Sequence, residues 1–245
     1  MEEIIPGALY LVSTPIGNLD DISFRAIQIL KSVDFIAAED TRTTSILLRH
    51  YNIPKKMLSY HSYNQKRQTP RILKSLMDNK SVALVSDAGT PGISDPAYLL
   101  VQHAIQNNIR IIPIPGASAF LAALIVSGLP VNRFVFEGFL PVKKGRKTRI
   151  KNLAIEGRTI VFYESPHRIL KTVNNLIDYW GNRQCMLGRE ITKKFEEFYR
   201  GDLVALSSRL SQKPVKGELV LIVAGESNVS KNDVMLKLSG SNQIQ

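Results

Sequence analysis

The sequence predicts an α/β protein of two domains, with a mostly parallel N-terminal sheet and a mixed C-terminal sheet. Three observations carry that expectation. Short apolar runs alternate with longer amphipathic stretches through the first half. A helix of small and apolar residues, "GASAFLAALIVSG", and a breaker, "LPVNR", then interrupt the pattern. In the second half, two apolar runs between residues 184 and 202 lie too close together for a helical crossover. Strands covered on both faces read as near-continuous apolar runs, whereas a hairpin needs only a short turn.

Taken in order, strands are expected at 8–14, 34–40, 56–61, 81–87 and 110–115, with helices at about 22–32, 43–50, 66–78 and 96–107 between them. Strand–helix–strand alternation of this kind builds a parallel sheet with helices on both faces. The small-residue helix and its breaker fill a boundary at 116–131. A second sheet follows from runs at 133–140, 158–164, 184–190, 196–202 and 217–225, the third and fourth forming an antiparallel hairpin. The expected domains are therefore 1–115 and 132–225, followed by a polar tail at 226–245. The tail is expected to be weakly ordered or a short helix.

Composition narrows the class. The 245 residues carry 32 basic and 21 acidic side chains, a net charge of +11. That excess favours an anionic partner. Cys185 is the sole cysteine, so neither an internal disulfide nor a cysteine zinc cluster is available. The opening "MEEIIPGALYLV" is acidic where a secretory signal is basic. No uncharged apolar run approaches the ~18 residues of a membrane span. A cytoplasmic protein that does not enter the membrane is expected.

In open α/β sheets, ligands gather where parallel strands end. Four unusual loops sit there: "STPIGNLDD", "EDTRTT", "SDAGTPGISDP" and "PIPGASA". The third holds two glycines, two prolines and two aspartates but no lysine. Gly89 and Gly92 permit close backbone approach, and Asp95–Pro96 reads as a helix cap followed by proline at the first helical position. A triphosphate loop wants a lysine and spare N–H groups. This one suits a ligand with amino, hydroxyl or cationic groups. The glycine fingerprint of a dinucleotide site is absent.

Together, "LYLVSTPIGNLDD", "AAEDTRTT", "SDAGTPGISDP", "PIPGASA", "FEGFLP", "FYESPHR", "GRE-TK" and "KGELVLIV" resemble the ribosomal small subunit methyltransferase I family of the tetrapyrrole methylase superfamily, over about residues 8–224. The resemblance implies S-adenosylmethionine as cofactor, held in a cleft between two α/β domains, and a homodimer. It implies 2′-O-methylation of a cytidine in 16S rRNA within the small ribosomal subunit. It also implies a cofactor wall of Asp87, Ala88, Gly89, Thr90 and Gly92, with Ser118 and Ala119 beside the adenosine. Tyr163, Glu164 and the backbone at Gly217, Glu218 and Leu219 would close over the adenine, and Thr14, Pro15 and Gly17 would face cofactor and substrate. The chain departs from the family where His-x-His-Asn-Glu is usual. Its stretch reads "YHSYNQK", with Tyr63 and Gln65 in place of histidine and glutamate.

Two features favour the RNA branch of the superfamily over its small-molecule members. "KKGRKTRIK" packs six basic residues into nine positions, and Lys143, Lys144, Arg146 and Lys147 are read as phosphate contacts. Arg42 can grip a phosphate while Glu39 or Asp40 orients a ribose hydroxyl. The same Asp40, or Thr41, also reads as a plain helix cap. Tyr60, Tyr63 and Phe139 are candidate base-stacking rings. A ribose hydroxyl needs a base, and Glu39, Asp40, Glu164, His167, Glu190 and Lys193 are candidates, with the Glu39–Asp40–Arg42 group favoured. No metal is needed. Two alternatives stay open: a small-molecule tetrapyrrole methylase, and a non-catalytic RNA-binding relative.

Overall fold

A computed structural model describes residues 3–226 of the chain. The described residues divide into two compact units between Ser118 and Ala119. The tail beyond Glu226, read from the sequence as polar, lies outside the described residues.

The first unit is a five-stranded parallel sheet. Its strands are β1 (Leu9–Val12), β2 (Phe35–Ala38), β3 (Met57–Ser59), β4 (Val82–Val85) and β5 (Ile111–Ile114). They lie in the order β3-β2-β4-β1-β5. The helices are α1 (Phe24–Ser32), α2 (Thr41–His50), α3 (Gln65–Met77) and α4 (Ala97–Gln106). Alternate residues of each strand serve opposite faces. Tyr10, Val12, Ile36, Ala38, Ala83 and Val85 pack with Ile29 and Leu30 of α1 and Leu48 of α2. Leu9, Ala37, Val82 and Leu84 pack with Ile72 and Leu76 of α3 and Leu100 of α4. The inner strands β2, β4 and β1 are therefore buried on both sides, which is why they read as unbroken apolar runs, while the edge strands β3 and β5 are only partly buried.

The second unit begins with α5 (Ala119–Ile125) and holds a mixed sheet. Its strands are β6 (Phe134–Phe139), β7 (Thr159–Glu164), β8 (Gln184–Arg189), β9 (Glu197–Asp202) and β10 (Leu219–Val223), in the order β6-β7-β10-β8-β9. Only β6 and β7 run parallel; β8 and β9 form the expected antiparallel hairpin. The helices α6 (Arg146–Leu153), α7 (Ile169–Trp180) and α8 (Leu203–Gln212) cover one face through Ile150, Val173, Leu176 and Leu206. Among the described residues no helix is long and apolar enough to cross a membrane.

One helix start differs from expectation. Asp95 accepts from the N–H of Ala97 at 3.0 Å and that of Gly92 at 2.7 Å, so α4 opens at Ala97 with Pro96 outside it. Helix α7 opens at Ile169, after a tight turn in which the Ser165 carbonyl takes the N–H groups of both Arg168 and Ile169.

Candidate active site

All five strands of the first unit end at one edge, and the loops that follow are tied together. Thr14 and Gly89 exchange backbone hydrogen bonds of 2.9 and 3.0 Å, joining the loops after β1 and β4. Gly89 has φ +79°, and a Cβ there would meet Ile16 Cγ2 at 3.3 Å, so a side chain would be both strained and crowded. The Thr90 hydroxyl donates to the Ala117 carbonyl at 3.2 Å, which brings in the loop after β5. With that proton committed, Ser13 Oγ must donate the 2.9 Å bond to Thr90 Oγ1. Gly116 is required because a Cβ would fall 2.9 Å from that of Ser13.

The carboxylates gather on the β2–β4 side. Ala38 and Val85 are paired in register, so the residues after them face each other. Asp87 Oδ1 accepts from the Asp40 N–H at 2.9 Å, and Glu39 Oε2 accepts from the Asp87 N–H at 3.3 Å. The two acids next to each other in sequence then diverge. Burial raises the Glu39 carboxyl above its ordinary range, and the charges of Asp87 and Asp95 add to this against the Asp87 N–H bond. Burial likewise raises Asp95. Asp40 instead receives the Arg42 side chain and Arg42 N–H, which hold it down at about 2. Asp40 is also the N-cap of α2, as the capping reading expected. Arg42 commits Nε and Nη2 to Asp40, yet its side chain stays 90% exposed.

His61 follows β3 on the same edge. Asn64 Oδ1 accepts from the His61 N–H at 2.9 Å, which fixes the amide orientation. Asn64 Nδ2 then donates to the Ser59 carbonyl and to His61 Nε2, each at 3.1 Å. Nε2 is an acceptor, so the proton of the neutral ring sits on Nδ1, a buried atom with no partner. Among the remaining first-unit residues singled out, Pro15 is buried, Gly17 and Ala88 are exposed, and Ser118 is half-buried. Gly92, at φ +93°, is the residue the Asp95 clamp holds.

In the second unit the candidates separate. The Tyr163 hydroxyl accepts from the Phe120 N–H at 3.2 Å, and the Tyr163 ring packs against Phe136 and Phe139; Ala119 starts the same helix as Phe120. Glu164 points the other way, 3% exposed, into the core. Its oxygens take bonds from Thr172 Oγ1 at 2.6 Å, from Arg168 and from its neighbour's N–H. Its side chain is thus a structural anchor, not a ligand contact or a base. Arg146 is corrected for the same reason. It is 6% exposed, donates to Thr172 Oγ1 at 2.6 Å and to the Pro141 carbonyl, and lies 3.8 Å from Glu164. It cannot reach a phosphate. Arg149 of the same stretch is engaged by Glu137. Lys143, Lys144 and Lys147 stay exposed.

Gly217, Glu218 and Leu219 enter β10 beside a knot that sequence reasoning did not anticipate. Glu190 Oε1 accepts from the Glu218 N–H at 2.9 Å, and Lys193 bridges Glu190 and Glu218 at 3.2 Å each. Gly217 has no room for a side chain, because a Cβ would overlap Glu190. These partners lie 28 positions apart, so neighbouring letters carry no signal for them. Leu219 is 3% exposed and offers only backbone, His167 is exposed, and Tyr60 is 1% exposed, which removes it as a stacking ring.

The family model for tetrapyrrole (corrin/porphyrin) methylases matches residues 8–207. The ribosomal RNA small subunit methyltransferase I of Halalkalibacterium halodurans is 49% identical over 220 residues, covering 89% of this chain and 76% of the relative. That of Synechocystis is 49% identical over 221 residues, covering 89% and 79%. The crystal structure of uroporphyrin-III C-methyltransferase from Thermus thermophilus, complexed with S-adenosyl homocysteine, superposes with a TM-score of 0.64 at 16% identity, covering 91% of this chain and 99% of that one.

Proposed function

Because this chain belongs to the tetrapyrrole (corrin/porphyrin) methylase family and, within it, to the ribosomal RNA small subunit methyltransferase I group, we propose that it is an S-adenosylmethionine-dependent methyltransferase of 16S rRNA. The acceptor is the ribose 2′-oxygen of the cytidine at position 1402, in the small ribosomal subunit. The identity of 49% across 89% of the chain carries this reading. A homodimer acting beside ribosomes in the cell interior belongs to the same proposal.

The donor groups of the strand-end edge fit such a cofactor. Glu39, Asp87 and Asp95 leave two carboxyls raised and no lysine among them, which suits a cationic, hydroxyl-rich ligand better than a polyphosphate. The backbone from Asp87 to Gly92 would hold it, with Thr14, Pro15 and Gly17 beside the reacting groups and Ser118 and Ala119 at the adenosine. Tyr163 and the backbone of Gly217, Glu218 and Leu219 would take the adenine. S-adenosylmethionine supplies an already activated methyl group. The chain's task is to align the acceptor oxygen and remove its proton. Glu39 is the base, since its raised carboxyl takes up a proton more readily than Asp40 does. Asp40 orients Arg42, whose remaining Nη1 faces a substrate phosphate.

Two measurements test this. Calorimetry with S-adenosylhomocysteine should show uptake by the folded protein. A tritiated-methyl assay should label small subunits from a strain lacking the modification, at a ribose. Labelling of a porphyrin and not of RNA would transfer the chain to the small-molecule branch. RNA binding without cofactor uptake would make it a non-catalytic relative.

A further inference from the structure

Helix α3 carries its charge at an energetic cost. Its solvent side presents Lys66, Arg67, Arg71 and Lys74, all exposed, and its sequence "QKRQTPRILKSLM" contains no acidic residue. Arg67, Arg71 and Lys74 lie at i, i+4 and i+7, so they share one stripe and repel one another. Lys66 and Arg67 occupy the first turn, where the helix dipole disfavours positive charge, and Asn64 gives no side-chain cap. No ion pair relieves any of the four among the described residues. Just ahead of the stripe, the Tyr63 ring stands 97% exposed.

With Gln65 at its start the first turn of α3 holds no carboxylate, and Tyr63 sets an exposed phenol ring just ahead of it. Both features suit the head of the helix to RNA. A polyanion offsets the repulsion and the unfavourable dipole together, and a flat exposed ring offers stacking to any unpaired base. The surface opens on the same strand-end edge as Glu39 and Arg42, since Tyr60 N–H bonds to the Ala38 carbonyl immediately before Glu39.

We propose that the outer face of α3 is an RNA-docking surface, with Tyr63 stacking a splayed base and Lys66, Arg67, Arg71 and Lys74 holding flanking phosphates. This inference rests on the rRNA substrate proposed above. It adds a surface in the first unit to the exposed lysines at 143–147 in the second.

The test replaces the four basic residues with glutamine, and separately makes Tyr63→Ala and Tyr63→Phe. Binding to protein-free 16S rRNA and to small subunits is measured against salt. The log–log salt slope should fall by about 0.7 for each phosphate no longer neutralised. Tyr63→Ala should weaken binding roughly tenfold, and Tyr63→Phe should restore it. S-adenosylhomocysteine affinity should not change, and the glutamine variant should melt no lower than the parent, since repulsion has been removed. An unchanged slope on both substrates would overturn the proposal. So would an effect on subunits with none on free RNA, which would give the surface to a ribosomal protein. Equal loss of cofactor affinity would assign α3 to the fold. If the parent binds rRNA with the predicted slope but methylates none, the docking surface stands and the activity reading falls.

Discussion

Glu39 and Glu164 are both glutamates at the carboxyl end of a strand, and they have opposite fates. Glu164 ends β7, is enclosed by Arg146, Arg168 and Thr172, and has its oxygens satisfied. Glu39 follows β2, faces Asp87 and Asp95, and receives one backbone N–H bond. Closed networks hold a fold together, while half-compensated carboxyls keep a proton within reach of chemistry. Exposure and partners, not residue type, separate the anchor from the proposed base.

The largest expected effect comes from breaking the anchor. Glu164→Ala leaves Arg146 buried without a counter-charge, and Arg146 already has one guanidinium nitrogen, Nε, unpaired. Removing one partner of such a pair costs about 3–5 kcal/mol. Denaturant unfolding should show that loss, with cofactor affinity retained in whatever protein stays folded. A loss under about 1 kcal/mol, or a selective loss of cofactor binding, would return Glu164 to the site.

Breaking the base comes next and has the opposite signature. Glu39→Gln should lower kcat by about 100-fold, the low end for a positioned general base. The parent should show an acid limb, activity rising as pH climbs through the raised Glu39 value, and the variant should lose it. Stability shifts the other way. A raised folded value means the folded state binds that proton more tightly than the unfolded chain does. The ionised carboxylate therefore costs stability at neutral pH, and the cost fades as pH falls through the folded value. Glu39→Gln should melt slightly higher than the parent at pH 7. A lower melting temperature with normal kcat would make Glu39 structural.

This contrast shows what the letters held. Most strands were legible as apolar runs closed by polar or glycine-rich residues, while β9, "EFYRGD", was legible through its short spacing from β8. The candidate site edge was legible because loops such as "SDAGTPGISDP" are too constrained for ordinary turns. The direction of Glu164 was also encoded. Ile160, Phe162 and Glu164 alternate onto the core face of β7, while Tyr163 falls on the other. Arg146, Ile150 and Leu153 recur at helical spacing on the buried side of α6, yet the charge count of "KKGRKTRIK" masked that period. What the sequence withheld was pairing across distance. Nothing near Glu190 announces Glu218, 28 positions away.

A smaller effect tests the corrected basic stretch. Replacing Lys143, Lys144 and Lys147 with glutamine should flatten the salt dependence of rRNA binding by about 0.7 per phosphate released and leave melting unchanged. Arg146→Gln should do the reverse, lowering stability with the salt slope intact, because its guanidinium is spent on Thr172, Pro141 and Glu164. A reduced slope from Arg146→Gln alone would mean that the arginine leaves its pocket to meet RNA.

The smallest expected effect separates the two neighbours at the edge. Asp40 is ionised wherever the protein is folded and active, because Arg42 and its own cap bonds hold it at about 2. A carboxylate that acidic is a poor proton acceptor, and its work is to cap α2 and steer Arg42. Asparagine caps as well as aspartate and keeps an oxygen for the Arg42 N–H. Asp40→Asn should therefore keep kcat within a few-fold and leave the acid limb where Glu39 sets it. KM for rRNA should rise modestly, because the guanidinium loses its charged tether. If Asp40→Asn were as damaging to kcat as Glu39→Gln, or if it moved the acid limb, the proton would travel through Asp40 and burial would be the wrong guide to which neighbour is the base.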